Sequence, residues 1–292
     1  MNPTVDCLDH VGLMGPDLGA LARIYERLGF ALTPLSQHSG ALKPGEQPVK
    51  WGTGNRCAML PQGYVELLAV IDPTLFVNRV PEFLARYAGI HVVAFGCRDA
   101  AAEEARLRAG GVKIVGQLAL ERAIEVDGVE RMLRFVLIRL APDTMPEGRI
   151  LLIEHKTRDL LWRPEVTAHP NGARRLAEVM IAVADADEAA DRYARLLGFP
   201  AARNGAARTI RLPRGRCTLV SPDGLDAILP GAAAPTIPFV AGVRIDVADV
   251  ADMAARLKRA GIPFRHADGQ LIVAAGYAGG ATCVFGRADA GE

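Results

Sequence analysis

No run of some eighteen apolar residues occurs in this sequence, which excludes a membrane-spanning helix. Its opening, MNPTVDCLDHVGLM, lacks a basic stretch and a small-residue cleavage site, so no secretory signal is expected. Neither sign of charge dominates, with 34 Lys and Arg against 33 Asp and Glu and a formal charge of +1. A near-neutral chain offers no electrostatic footprint for nucleic acid or an acidic membrane surface. Only five of the 34 basic residues are lysine, a mark of genome composition more than of function. Cysteine is sparse: Cys7, Cys57, Cys97, Cys217 and Cys283 are scattered, odd in number and without CxxC spacing. That argues against a disulfide framework or a zinc knuckle, and for reduced thiols in a cytoplasmic protein.

What is present is ample folding material. Half of the 292 residues are apolar and 23% are charged, enough for one large domain or two ordinary ones. The chain repeats a unit four times. The copies begin LDHVGLMGPDLGALARIYERLGFAL, GIHVVAFGCRDAAAEEARLRAGGVKI, LAEVMIAVADADEAADRYARLLGFPAA and AGVRIDVADVADMAARLKRAGIPF. Each is an apolar run, an Asp-initiated helix stopped at glycine, and further strand-like pieces. Asp17, Asp99, Asp185 and Asp249 suit helix N-caps. Gly29, Gly110, Gly198 and Gly261 suit the left-handed stop. The first helix carries an apolar stripe of Leu18, Leu21, Tyr25 and Leu28.

In copy one the later strands are expected at ALTPL, NRCAML and YVELLAV; in copy two at VKIVGQL, RMLRFVLIRL and RILLIEH. The unit is therefore βαβββ, and because one such unit leaves its sheet face exposed, units must pair to cover it. Copies one and three are the more alike, as are two and four, so a pair was duplicated. The expected division is an N-terminal pair over 1–160, a linker over 161–174 and a C-terminal pair over 175–292.

Polar residues in buried strands carry the functional signal. On the first strand, copies one to four offer His10, His91, Glu178 and Val243. On the last they offer Glu66, Glu154, Thr218 and Phe285. A lone strand histidine is commonly a hydrogen-bonded core residue, and a lone glutamate near a strand end commonly faces water. Four in matching slots of two repeats are another matter. His10, sharing a face with Leu8 and Gly12, and Glu66, beside Tyr64 and Leu68, have core-like neighbours. A carboxylate there is costly unless a cation or strong donors meet it. His10, Glu66, His91 and Glu154 thus form a candidate cage for one divalent cation.

The motifs LDHVGL with a helix ending LGF, GTGNR leading to GYVELLAV, and IEHKT followed by HPNGA resemble the vicinal oxygen chelate superfamily, in particular its glyoxalase-like bacterial proteins. The resemblance covers essentially the whole chain. It implies an α+β fold of four βαβββ modules in two pairs, each pair a half-open curved sheet, around a metal held by His10, Glu66, His91 and Glu154, with Ni²⁺, Zn²⁺, Mn²⁺ or Fe²⁺ as the ion. It further implies a lyase or isomerase acting on a small molecule with adjacent oxygens, with Glu66 or Glu154 shuttling a proton. An Fe(II) dioxygenase using His10, His91 and Glu154 is the alternative enzyme, and a metal-free binding protein of the bleomycin-resistance type the non-enzymatic one. The second pair, without the ligand set, is expected to close the core or serve a homodimer interface.

Substrate contacts are expected from Asn55, Arg56, Tyr64, His155, Trp162 and His169. Arg56 could pair with a substrate carboxylate or with the fold itself. His155, next to Glu154, points to the opposite face of a regular strand and is a poor metal ligand. The segment from Ser36 to Arg56, about sixteen residues longer than in copy three, reads as a lid or substrate loop. GTGNR is too short for a phosphate-binding loop and opens no helix. Arg208, Arg211, Arg214 and Arg216 read as a solvated hairpin with no aromatic interleaving, which leaves nucleic acid without a binding surface.

Overall fold

A computed structural model describes residues 2–42 and 46–288. The first quarter runs β1 (Val5–Met14), α1 (Leu18–Arg27), β2 (Ser36–Gly40), β3 (Val49–Met59) and β4 (Tyr64–Val70). A short α2 (Val80–Leu84) leads to β5 (Gly89–Cys97), α3 (Ala100–Ala109), β6 (Ile114–Val126), β7 (Val129–Leu140) and β8 (Arg149–His155). Two short helices, α4 (Arg158–Leu161) and α5 (Pro164–Thr167), bridge the halves. The third quarter is β9 (Ala173–Ala182), α6 (Ala186–Leu197), β10 (Ala201–Asn204), β11 (Ala207–Arg211) and β12 (Arg216–Val220). After α7 (Leu225–Ile228) come β13 (Phe239–Val247), α8 (Val250–Arg259), β14 (Arg265–Ala267), β15 (Gln270–Val273) and β16 (Thr282–Gly286).

Each quarter is βαβββ, as the repeats imply. Its first strand pairs in parallel with its fourth, and the second strand lies outermost. Quarters join through their first strands, β1 antiparallel to β5 and β9 antiparallel to β13. Each half is thus one curved eight-stranded sheet, and the halves meet where Val240 pairs with Ile90.

The four long helices begin where the aspartates predict. Asp17 accepts from Ala20 N–H, Asp99 from Ala102, Asp185 from Asp187 and Glu188, and Asp249 from Ala251 and Asp252. Three of the glycine stops are left-handed: Gly29, Gly198 and Gly261. Gly110 is not, with φ −81°, and its neighbour Gly111 takes the left-handed turn at φ +73°. The helices pack between the halves rather than against their own quarters alone. Tyr25 of α1 reaches Cys283 of β16, and Tyr193 of α6 meets Phe95 of β5 edge-on. The largest hydrophobic cluster accordingly mixes both halves, which leaves each concave sheet face open for a cavity.

Two local expectations change. ALTPL is not a strand; β2 starts at Ser36, beyond Pro34. The expected lid is largely a strand pair, β2 and β3, whose register runs Ser36↔Asn55 to Gly40↔Val49; residues 43–45 lie outside the described residues.

Candidate functional site

The concave face of the N-terminal half encloses a cavity of about 580 Å³. His10 and Glu66 line it together. A β-bulge does the placing. The β1–β5 register slips between Leu8 and His10, leaving Asp9 as the extra residue. Leu8, Val11 and Leu13 therefore belong to the core between the halves, while His10 faces the cavity. The expectation that His10 and Leu8 share a face fails for that reason.

Asp9 is fully buried and its Oδ1 accepts from two imidazoles, His10 Nδ1 at 2.8 Å and His155 Nε2 at 3.2 Å. Burial alone would raise its carboxyl, but the charge of His155 and the hydrogen bonds from both rings outweigh this and hold it below the usual carboxylate range. An ionised carboxylate only accepts, so the His10 ring donates at Nδ1 and keeps Nε2 as its acceptor. Tyr64 stacks on the His10 ring at 4.3 Å. Burial foremost, then the Asp9 charge, pushes its phenol well above its ordinary value.

Glu66 is held differently. Asn55 Nδ2 donates to its Oε1 at 2.6 Å, and His38 Nε2 stands 3.6 Å from the same oxygen. Burial raises this carboxyl, but His38, His10 and Asn55 together bring it from 4.5 down to about 2. Glu66 is thus a fixed anion near neutral pH, a poor carrier for the proton shuttle expected of it.

His91 and Glu154 are not brought to this site. His91 is itself a bulge residue: Gly12 pairs with Val92 and Leu13 with Ile90, and His91 falls between them. Its Nε2 donates to Tyr87 O at 2.8 Å, and its ring stacks on Tyr87 at 4.0 Å. Burial pulls it down from 6.5 to about 4, so it sits neutral in the core. Glu154 accepts from Ala100 N–H at 2.9 Å, at the start of α3, and pairs with Lys156. The register shows what occupies the slots instead. His10 lies beside Tyr64 and Gly12 beside Glu66; in the second quarter the same places are Val92 beside Arg149 and Ala94 beside Leu151. Val92 and Leu151, both lining the cavity, stand where His91 and Glu154 were expected. In the fourth quarter the same comparison gives Gly242 and Val284, one residue before Val243 and Phe285.

The residues present therefore do not fit a four-ligand metal centre. Two of the four donors remain, and among the described residues no group of three or more His, Cys, Asp or Glu is placed to hold an ion. Ions of this class are ordinarily held by three or four protein ligands. The His10, His91 and Glu154 triad of an Fe(II) dioxygenase is dispersed in the same way.

Of the expected substrate contacts, Asn55, Tyr64 and His155 line the cavity. Arg56 does not; it donates to Thr33 O at 2.9 Å and pairs with Glu26 at 3.1 Å. His169 is a clamp, accepting from Ala31 N–H at 3.0 Å and donating to Met59 O at 2.7 Å. Trp162 stands behind the lining, edge-on to Tyr64 and His155 and covered by Arg158 at 3.8 Å. Asp9, His38 and Arg122 were missed. Asp9 is visible as the neighbour of His10, His38 lies in the supposed lid, and Arg122 interrupts an alternating apolar strand.

The sequence model of the glyoxalase-like domain matches residues 8–197, and that of the glyoxalase, bleomycin resistance protein and dioxygenase superfamily matches 175–274. No curated protein matches the chain. A hypothetical protein from Staphylococcus aureus is 13% identical, with TM-score 0.64 over 96% of this chain and 99% of its own. A mutant 4-hydroxymandelate synthase from Streptomyces coelicolor is 15% identical, with TM-score 0.62 over 99% and 95%. A Mn(II)-bound glyoxalase from Novosphingobium aromaticivorans is 13% identical, with TM-score 0.54 over 97% and 82%. At such identities the likeness is one of fold.

Proposed function

Because the chain belongs to the glyoxalase-like domain family, yet its second quarter carries Val92 and Leu151 in the ligand slots, we propose that it acts on a small molecule by proton transfer at His10 rather than through a four-ligand metal centre. The supporting observation is the Asp9 carboxylate, which fixes His10 by its Nδ1 and leaves Nε2 as the basic atom lining a cavity. An imidazole can take up and return a proton, and a buried anion behind it stabilises the imidazolium that forms. Glu66, already ionised, offers a second negative charge to that cation and orders His38. Tyr64 keeps its proton and supplies a stacked floor. The chemistry this arrangement supports is removal and return of a proton beside a carbonyl, the isomerase or lyase side of the family's range.

Such exchange is measurable without knowing the physiological substrate. In D₂O, deuterium entering the carbon beside the carbonyl of small 2-oxo acids and hydroxyketones can be followed by NMR. Wild-type protein accelerates it, and His10→Ala loses about a hundredfold. Exchange that survives His10→Ala undiminished would overturn the assignment. A second, non-catalytic reading is favoured by the apolar part of the lining, Leu68, Leu133, Leu137 and Leu151 among it. It predicts ligand binding with no exchange, and an affinity indifferent to His10→Ala.

A further inference from the structure

The other wall of the N-terminal cavity is the long hairpin of β6 and β7. Along β6 every second residue is half-buried, and the sequence of that face is Leu118, Leu120, Arg122, Ile124 and Val126. Across the hairpin Leu118 meets Leu137, Leu120 meets Phe135, and Arg122 meets Leu133. On β6 itself Arg122 is the charged residue of this face; on β7 the exposed Arg131 stands opposite Ile124 and the exposed Arg139 opposite Gly116. The acidic residues beside it, Glu121 and Glu125, are exposed but still count among the residues that line the cavity, and Glu121 is engaged by Arg134 at 2.8 Å.

Arg122 lines the cavity together with Ser36. Its Nη1 donates to Ser36 Oγ at 3.1 Å, linking the outermost strands β6 and β2. Its Nε is buried and has no hydrogen-bond partner among the described residues. A guanidinium N–H in that position costs stability unless something accepts from it. Its positive charge also opposes the burial that raises the Tyr64 phenol and the Cys57 thiol, groups on the wall that carries His10 and Glu66. Of the two other arginines lining the cavity, both are engaged elsewhere through their terminal nitrogens, although the Arg163 Nε is likewise buried without a partner among the described residues. Arg149 donates to Asn78 O at 3.0 Å and lies over Phe83, and Arg163 pairs with Glu165 at 2.6 Å.

Building on the reading of this cavity as a small-molecule site, we infer that Arg122 is a specificity-determining residue and that the ligand is a small organic acid. Its carboxylate sits on the Arg122 fork, and its apolar body lies along Leu133, Phe135 and Leu151. Guanidinium matches carboxylate geometry in two parallel hydrogen bonds, and the low dielectric around this face strengthens them.

Calorimetric titration with phenylacetate, 3-phenylpropionate and hexanoate, each beside its neutral primary amide, tests this. Wild-type protein prefers an acid over its amide by about tenfold or more. Arg122→Leu removes the preference while amide binding persists. Arg122→Lys, which keeps charge without the fork, retains a smaller one. Acids and amides bound alike by wild type, or a preference undiminished in both variants, would overturn the role of Arg122 and leave the cavity reading standing. No binding of any acid or amide would instead overturn the cavity reading itself.

Discussion

The two halves follow one strand plan, and their concave faces have diverged in opposite directions. In the N-terminal half the first-quarter slots hold His10 and Glu66, and the second-quarter slots hold Val92 and Leu151. In the C-terminal half a cavity of about 550 Å³ has Glu178 in the His10 slot and Thr218 in the Glu66 slot. Those two hydrogen-bond each other at 2.5 Å, and Arg216 pairs with Glu178 at 2.8 Å. One face thus presents an imidazole backed by a carboxylate to an apolar chamber, whereas the other ties its carboxylate to its own fold. Gene duplication preserves slots, and each slot's chemistry then drifts separately. Symmetry of the backbone does not license symmetry of the ligands.

The largest effect is expected from making the second quarter resemble the first. Val92→His with Leu151→Glu completes a two-histidine, two-carboxylate set around the cavity. Affinity for Zn²⁺ should rise roughly a thousandfold or more over wild type, read by competition with a chromophoric chelator. An unchanged affinity in a folded double variant would show that the slots are not equivalent.

Asp9→Asn removes the feature that distinguishes the first quarter from the third. It leaves His10 without its buried anion, and deuterium exchange should fall about a hundredfold. The matching change in the other half, Glu178→Gln, should leave exchange untouched, because that cavity shares no lining residue with the N-terminal one.

Acid titration separates the residues that share a histidine or glutamate label but not a role. His91 is held neutral, lowered from 6.5 to about 4, so the unfolded chain binds the extra proton between those values. Stability present above pH 6.5 is therefore lost as pH falls toward 4. Glu66, lowered from 4.5 to about 2, contributes stability above pH 4.5 that is lost toward pH 2. Melting temperature against pH should lose the first step in His91→Gln and the second in Glu66→Gln; identical profiles in the variants would contradict these placements.

The smallest effect concerns Glu154. As an acceptor at the start of α3, its replacement by Ala should cost about 1 kcal/mol in denaturant unfolding and leave ligand binding as it was. Loss of binding would return it to the site.

Much of the fold was legible because local chemistry announces it. Aspartate caps, glycine stops and the spacing between them repeat four times, and the strands YVELLAV and RILLIEH coincide with β4 and β8. Half of the site was legible for the same reason, since His10 and Glu66 lie in regular register with one another. The other half failed by small slips. His10 precedes Asp17 by seven residues, and seven before Asp99 is Val92, not His91. Counting from the helix cap finds the slot, whereas matching histidine to histidine does not. The bulges at Asp9 and His91 deepen the difficulty, because one extra residue turns every later side chain to the other face. Arg122 was legible in principle as the single charge on one side of LALERAIEV, but only once that strand was known to roof a cavity.

The central claim is that this chain retains the family's frame without its four-ligand centre. It is tested most directly by elemental mass spectrometry of untagged protein, reconstituted in turn with Mn²⁺, Fe²⁺, Ni²⁺ and Zn²⁺ and then desalted. The account predicts well below one tightly held ion per chain, with His91→Ala and Glu154→Ala indistinguishable from wild type. One ion per chain, lost in both variants, would contradict it.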